Sequence, residues 1–246
     1  MKNIVLIVGS ALDAIRVRSL DLSIFKSCVA INNAWKLKKN WDYVIFPEDF
    51  PIANQPKNKK NIKKIITAKE YVPIQNNYGG FVYAGATMAF TVGYWALGHL
   101  KPDLIVYLGC DMIYSKKSTP NHFYGNGRAD PLRDDITLQS LEAKSARLMA
   151  FAKFHKCLVV NLSEQSESRL LFPRITIEHL LNIKKTNFLP KNKSKLNQKF
   201  VKKALYSENK LAYKVPSGRY WEVIKKFDPL KLKEIDHLWL KTPQYI

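Results

Sequence analysis

The chain has 246 residues and a mass of 28.4 kDa, enough for one domain or for one domain with an extension. Its 46 % hydrophobic content can bury an ordinary core, yet no apolar run reaches the roughly eighteen residues that crossing a bilayer requires. Three scattered cysteines (Cys28, Cys110 and Cys157) argue against a disulfide framework or zinc site, while forty Lys+Arg against twenty Asp+Glu, a net charge of +20, call for a polyanionic partner such as nucleotide phosphate, nucleic acid or anionic lipid.

In chain order, "NIVLIV" (3–8) is the first of five short, nearly continuous apolar runs. Its brevity and the Gly-Ser that follows it suit a strand and a loop better than a leader, so a cytoplasmic protein is expected. "CVAIN" (28–32) and "DYVIF" (42–46) follow, then a basic cluster "KNKKNIKK" (57–64), read as a loop. "GATMAFTVGYWALGHL" (85–100) is apolar on nearly every side and predicts a helix pressed against a sheet. "LIVYLG" (104–109) and "CLVVN" (157–161) complete the strands. Between them, "ITLQSLEAKSARLMAFAKFHK" (136–156) has Leu138, Leu141, Leu148, Phe151 and Ala152 at helical spacing, with Asp134 and Asp135 as capping candidates.

Continuously apolar strands are buried on both faces, so these alternating elements predict a doubly wound, mostly parallel Rossmann-like α/β sheet over residues 1–180. From Leu181 to Ile246 the composition changes to sixteen Lys+Arg against five Asp+Glu, a surplus of eleven positive charges among Phe, Tyr, Trp and Leu. Residues 181–246 are therefore expected to form a basic helical extension, broken at Pro190, Pro216-Ser217-Gly218 and Pro229. Trp221, Phe227 and Trp239 would dock it on an anionic membrane, placing the protein peripherally on the inner face.

In such folds ligands lie beyond the carboxyl ends of the strands. That rule selects Gly9-Ser10, Asn32-Asn33, Pro47-Glu48-Asp49 and the stretch from Asp111 to Tyr114. The first loop lacks the G-x-G-x-x-G of dinucleotide sites, and Gly9-Ser10 fits either a plain turn or close approach to a phosphate. No P-loop and no Asp-x-Asp is present, so a nucleotide-sugar enzyme built on these residues would work without a metal. Of five histidines, His99, His155, His179 and His237 fall in helical or basic contexts that suit structural roles. His122, in the loop "NHFYG" launched from the strand that carries Asp111, suits a general base. Tyr114 is placed to stabilise a departing phosphate; Tyr124 fits that role or simple loop packing.

The ordered set "VGSALDAI … AINNAW … GATMAF … IVYLGCDMIYS … NHFYG", over about residues 3 to 175, resembles the bacterial sialyltransferases of glycosyltransferase family 42. That resemblance implies the family's variant of the Rossmann-like GT-A fold and a metal-independent, inverting transfer from a CMP-activated sugar of sialic acid or Kdo type. The acceptor would be a hydroxyl of a surface glycan or glycolipid, as in lipopolysaccharide synthesis. It implies His122 as the base and Tyr114 on the leaving phosphate. Gly9, Ser10, Asn32, Asn33, Gly85, Thr87 and Asp111 would lie around the nucleotide, with Glu48, Asp49 and Tyr124 on the substrate; a homo-oligomer is possible in such a family. The sequence departs from the pattern at Ser10-Ala11, at "FPEDF" and at Phe81. Two other classes remain: a nucleotide- or pterin-diphosphate enzyme on the same sheet, and a basic nucleic-acid-binding protein.

Overall fold

The structure is a computed structural model describing residues 2–58, 60–114, 120–126, 134–189 and 194–245. Six parallel strands form one sheet: β1 (Ile4–Val8), β2 (Ser27–Ile31), β3 (Trp41–Ile45), β4 (Ile62–Ile66), β5 (Leu104–Leu108) and β6 (Leu158–Asn161). Their order is β4-β3-β2-β1-β5-β6. The chain winds outward from β1 to β4, then returns to add β5 on the other side of β1. Strand order thus reverses between β1 and β5, the place where an open α/β sheet forms its ligand crevice. The doubly wound parallel sheet expected from the apolar runs is present, each of the five predicted strands matching to within one residue.

Strand alternation divides the core in two. On β1, Val5 and Ile7 face one layer while Ile4, Leu6 and Val8 face the other; on β5, Ile105 and Tyr107 oppose Leu104, Val106 and Leu108. The first layer holds α1 (Ala68–Asn77), α2 (Phe81–Ala84), α3 (Met88–Trp95) and α4 (Leu141–Phe154). The second is covered by 3-10 turns after β1 and β2 and by α5 (Ile177–Thr186), which contributes Leu180 and Ile183.

Four expectations are corrected. The basic cluster 57–64 is not all loop, because Ile62–Ile66 pairs in parallel with β3 as β4. Lys63 and Lys64 lie on this edge strand, where exposed lysines discourage pairing with another sheet. The helix read over 85–100 begins at Met88 with Thr87 as N-cap, and a π-type turn, Ala96–Leu100, finishes it. The helix read over 136–156 is a 3-10 turn, Ile136–Leu138, followed by α4; Ser140 caps α4, while Asp135 accepts from Thr137 N and caps only the turn. Pro229 starts a helix instead of breaking one, since it occupies the first turn of α7 (Pro229–Leu240) behind the Asp228 cap. Pro190 lies outside the described residues.

From residue 194 onward the chain shares the first core layer. Strand β7 (Ser194–Leu196) pairs antiparallel with β8 (Pro243–Tyr245), α7 packs on α4, and α6 (Gln198–Leu211) packs on α7. Val201, Ala204, Phe227, Leu232, Ile235 and Trp239 belong to the same apolar cluster as the sheet. Phe227 and Trp239 are consequently buried and unavailable as membrane anchors, contrary to the expectation; Trp221 remains 55 % exposed. Two buried ion pairs hold the junction. Arg147 donates to both carboxylate oxygens of Glu208 at 2.8 Å, to Tyr94 Oη at 2.8 Å and to the Tyr78 carbonyl at 2.6 Å. Lys144 Nζ lies 2.6 Å from Asp236 Oδ1. Trp239 Nε1 donates to Glu208 Oε1 at 2.7 Å. Among the described residues no helix is long and apolar enough to cross a membrane.

Candidate functional site

A cleft of about 110 Å³ opens at the carboxyl ends of β1, β2 and β5. The chain must leave three adjacent buried strands here, and its turns supply the lining. After β1, Gly9 comes so close to β5 that a Cβ on it would sit 2.3 Å from the Gly109 carbonyl oxygen; Gly9 N donates to Leu108 O at 2.8 Å. Gly9 is therefore required by strand-to-strand contact, whatever binds beside it. After β2, Asn32 takes a left-handed conformation (φ 50°), which asparagine tolerates better than most residues. After β5, Met112 does the same (φ 55°) and swings Ile113 and Tyr114 over the opening.

His122 is the centre of this cleft. Its backbone closes a two-way bridge with Gly125, N to O at 3.1 Å and O to N at 3.0 Å. The neighbouring Phe123 N donates to Ser10 O at 3.1 Å, fastening the loop to the tip of β1. The imidazole stacks on Tyr124 (centroids 4.9 Å apart, planes 5° apart) and meets Tyr114 at 5.9 Å. It is only 7 % exposed, and neither ring nitrogen has a hydrogen-bond partner among the described residues. Burial lowers its pKa from 6.5, against a smaller upward pull from the Ser10 carbonyl beside it. His122 is thus held neutral at pH 7 with its nitrogens unspent.

Gly9, Ser10, Asn32, Thr87, Tyr114, His122 and Tyr124, all selected from the sequence, line this one cleft. Five others sit elsewhere. Asp111 is 1 % exposed and turned toward the tip of β6, where it accepts from Asn161 Nδ2 at 3.0 Å and from Ser163 Oγ at 2.7 Å. It braces the strand end from behind. Asn33 is buried beside Asn32, and the Oδ1 atoms of both lack partners. Gly85 (φ 85°) ends α2, and a Cβ there would press on Lys144 Cγ at 2.8 Å; the position needs glycine for packing. Glu48 and Asp49 line a second, larger pocket of about 580 Å³, which adjoins the first because Met88 lines both.

Sequence reasoning missed part of the apolar lining of the cleft, Ala11, Met88 and Cys110, because such residues look like core until a turn exposes one side of them. The remaining histidines take local roles: His99 stacks on Trp95, His155 Nε2 meets Tyr78 Oη at 3.2 Å, and His179 Nδ1 meets Thr176 Oγ1 at 2.9 Å. Burial pushes the thiols of Cys28 and Cys157 up to about 12 and that of Cys110 higher still, so none is a nucleophile at neutral pH.

No family model, no curated protein and no solved structure matches this chain.

Proposed function

We propose that this protein is a metal-independent, inverting glycosyltransferase that uses a CMP-activated sugar, of sialic acid or Kdo type, with His122 as general base. The observation carrying this reading is the buried, neutral imidazole with two unpartnered nitrogens at the mouth of the sheet's switch point. A buried polar group without a partner is costly, and a site that tolerates one usually has a partner arriving from outside. The ordered motifs shared with family 42 sialyltransferases support the choice of donor.

In the reaction, the acceptor O–H gives its proton to a ring nitrogen of His122 as its oxygen attacks the anomeric carbon. A new C–O bond forms on the opposite face from CMP, which departs with the electron pair of the broken C–O bond. Tyr114 takes the charge that grows on the phosphate. Tyr124 keeps the imidazole plane fixed by stacking and shields it from water.

The enzyme works at an anionic membrane, against which its positive charge and the exposed Leu230 and Leu240, flanked by Lys231, Lys233 and Lys241, would rest. Transfer from a CMP-sugar, followed by release of CMP, is the test. Wild-type protein should release CMP in the presence of acceptor, and His122→Ala should lose at least a hundredfold in kcat/KM. Full activity in His122→Ala would remove this mechanism.

A further inference from the structure

The pocket beside the His122 cleft has a character unlike the rest of the molecule. In a chain carrying +20, the described residues of its lining include four carboxylates, Glu48, Asp49, Asp134 and Asp135, against one cation, Arg219. Arg219 is already engaged, 3.8 Å from Glu48 and 3.7 Å from Glu222. Asp135 is also committed, accepting from Thr137 N and from Tyr220 Oη at 2.5 Å. Asp49 and Asp134 are exposed and make no ion pair or hydrogen bond with any described residue. The pocket's negative field reaches its wall: after burial, Glu48 and Asp49 are what raise the phenol of Tyr71 to about 12.

Beneath these acids the pocket is apolar and aromatic. Tyr71, Phe81 and Met88 lie inside it, and Trp221, more than half exposed, stands at its edge. A tryptophan face beside carboxylates is the combination that takes an amphipathic ring carrying positive charge: the C–H face stacks, and the cation meets the acids. The larger cavity, about 580 Å³, falls within the range of sites that hold a small molecule. Met88 lines both, so the two cavities are neighbours on either side of one side chain.

We infer that this second pocket is the acceptor site and that it selects a sugar bearing a free, protonated amine, with Trp221 as the stacking platform and Asp49 and Asp134 as its counter-charges. Its role as acceptor site rests on the transferase reading above; its preference for an amine does not. The tail then has a second task beyond basic charge, because residues 217–221 form one wall of the acceptor pocket.

The test is a direct binding measurement on the full chain without nucleotide, by ligand-observed NMR or calorimetry. The probes are a disaccharide of glucosamine and the same disaccharide with both amines acetylated. The free-amine form should bind at least tenfold more tightly. Asp49→Asn with Asp134→Asn should erase that difference without lowering the melting temperature, since both side chains are exposed. Trp221→Ala should weaken both probes in parallel. Equal affinity for the two probes, a preference that survives the double Asn variant, or no binding of either would overturn the inference. Protection by CMP, measured separately on the same variants, keeps the readings distinct: amine preference without CMP binding removes the donor assignment alone, and CMP binding without amine preference removes only this one.

Discussion

The α4–α6–α7 junction and the His122 cleft are both built from buried polar groups, and they treat them in opposite ways. At the junction, Arg147 spends its guanidinium on Glu208, Tyr94 and the Tyr78 carbonyl, and Glu208 takes Trp239 as well. At the cleft, both nitrogens of His122 and Oδ1 of Asn32 have no hydrogen-bond partner among the described residues. A satisfied buried charge belongs to the architecture, whereas an unsatisfied buried polar atom on a concave surface is an invitation to a ligand. Both conditions are needed. Gln75 is equally buried and unpartnered, but it lines neither pocket.

The sharpest way to break this comparison is to remove one partner at the junction. Glu208→Ala leaves Arg147 buried and uncompensated, which should cost about 3–5 kcal/mol and lower the melting temperature by on the order of 10 °C in calorimetry. Asp236→Ala should cost less, because one of its oxygens is already without a partner. Replacing both Lys144 and Asp236 by apolar residues of similar volume should recover most of that loss in denaturant titrations.

The cleft should respond the other way. His122→Phe keeps the stack with Tyr124 and removes two unspent polar atoms, so its unfolding free energy should stay within about 1 kcal/mol of wild type while transfer activity disappears. A large loss of stability would mean that His122 is an architectural residue like Arg147.

The junction and the cleft also differ in what pH does to them. Burial holds the His122 pKa below 6.5, so the base stays neutral as pH falls to that value, and the acid limb of kcat/KM should lie below pH 6.5. The sign for stability agrees: the unfolded chain takes up a proton near 6.5 before the folded one does. Stability attributable to this residue is therefore full above pH 6.5 and declines as pH falls through the lower, folded value. Comparing wild type with His122→Phe by chemical denaturation between pH 7.5 and 5 isolates that slope. The smallest effect is expected at Arg219→Ala, whose pairs with Glu48 and Glu222 are exposed. It should change stability by less than about 1 kcal/mol in the same assay.

Which of these features the sequence displayed follows from their range. Five strands were readable because continuous apolar character is local, and four of the cleft residues, Gly9, Ser10, Asn32 and Tyr114, followed from one rule about strand ends. Strand β4 was hidden because Lys63 and Lys64 make an edge strand look like a basic loop. Asp111 was misplaced because position at a strand end does not say which way a side chain turns, and here Asn161 and Ser163, fifty or so residues later, capture it. The tail's helices were legible from composition, but their attachment depends on pairs such as Arg147–Glu208 and Lys144–Asp236, separated by 61 and 92 residues. Lysine content advertised a surface and concealed the two acids that bind it to the core.

The central claim is that a cytidine phosphate binds against the unpartnered ring of His122. With histidine rings labelled with nitrogen-15, CMP can be titrated into the protein while all five ring signals are followed by NMR. The account predicts a saturable shift of the His122 signal, with His99, His155, His179 and His237 unmoved. A His122 resonance that stays in place while CMP saturates, or a failure of CMP to bind at all, would contradict it.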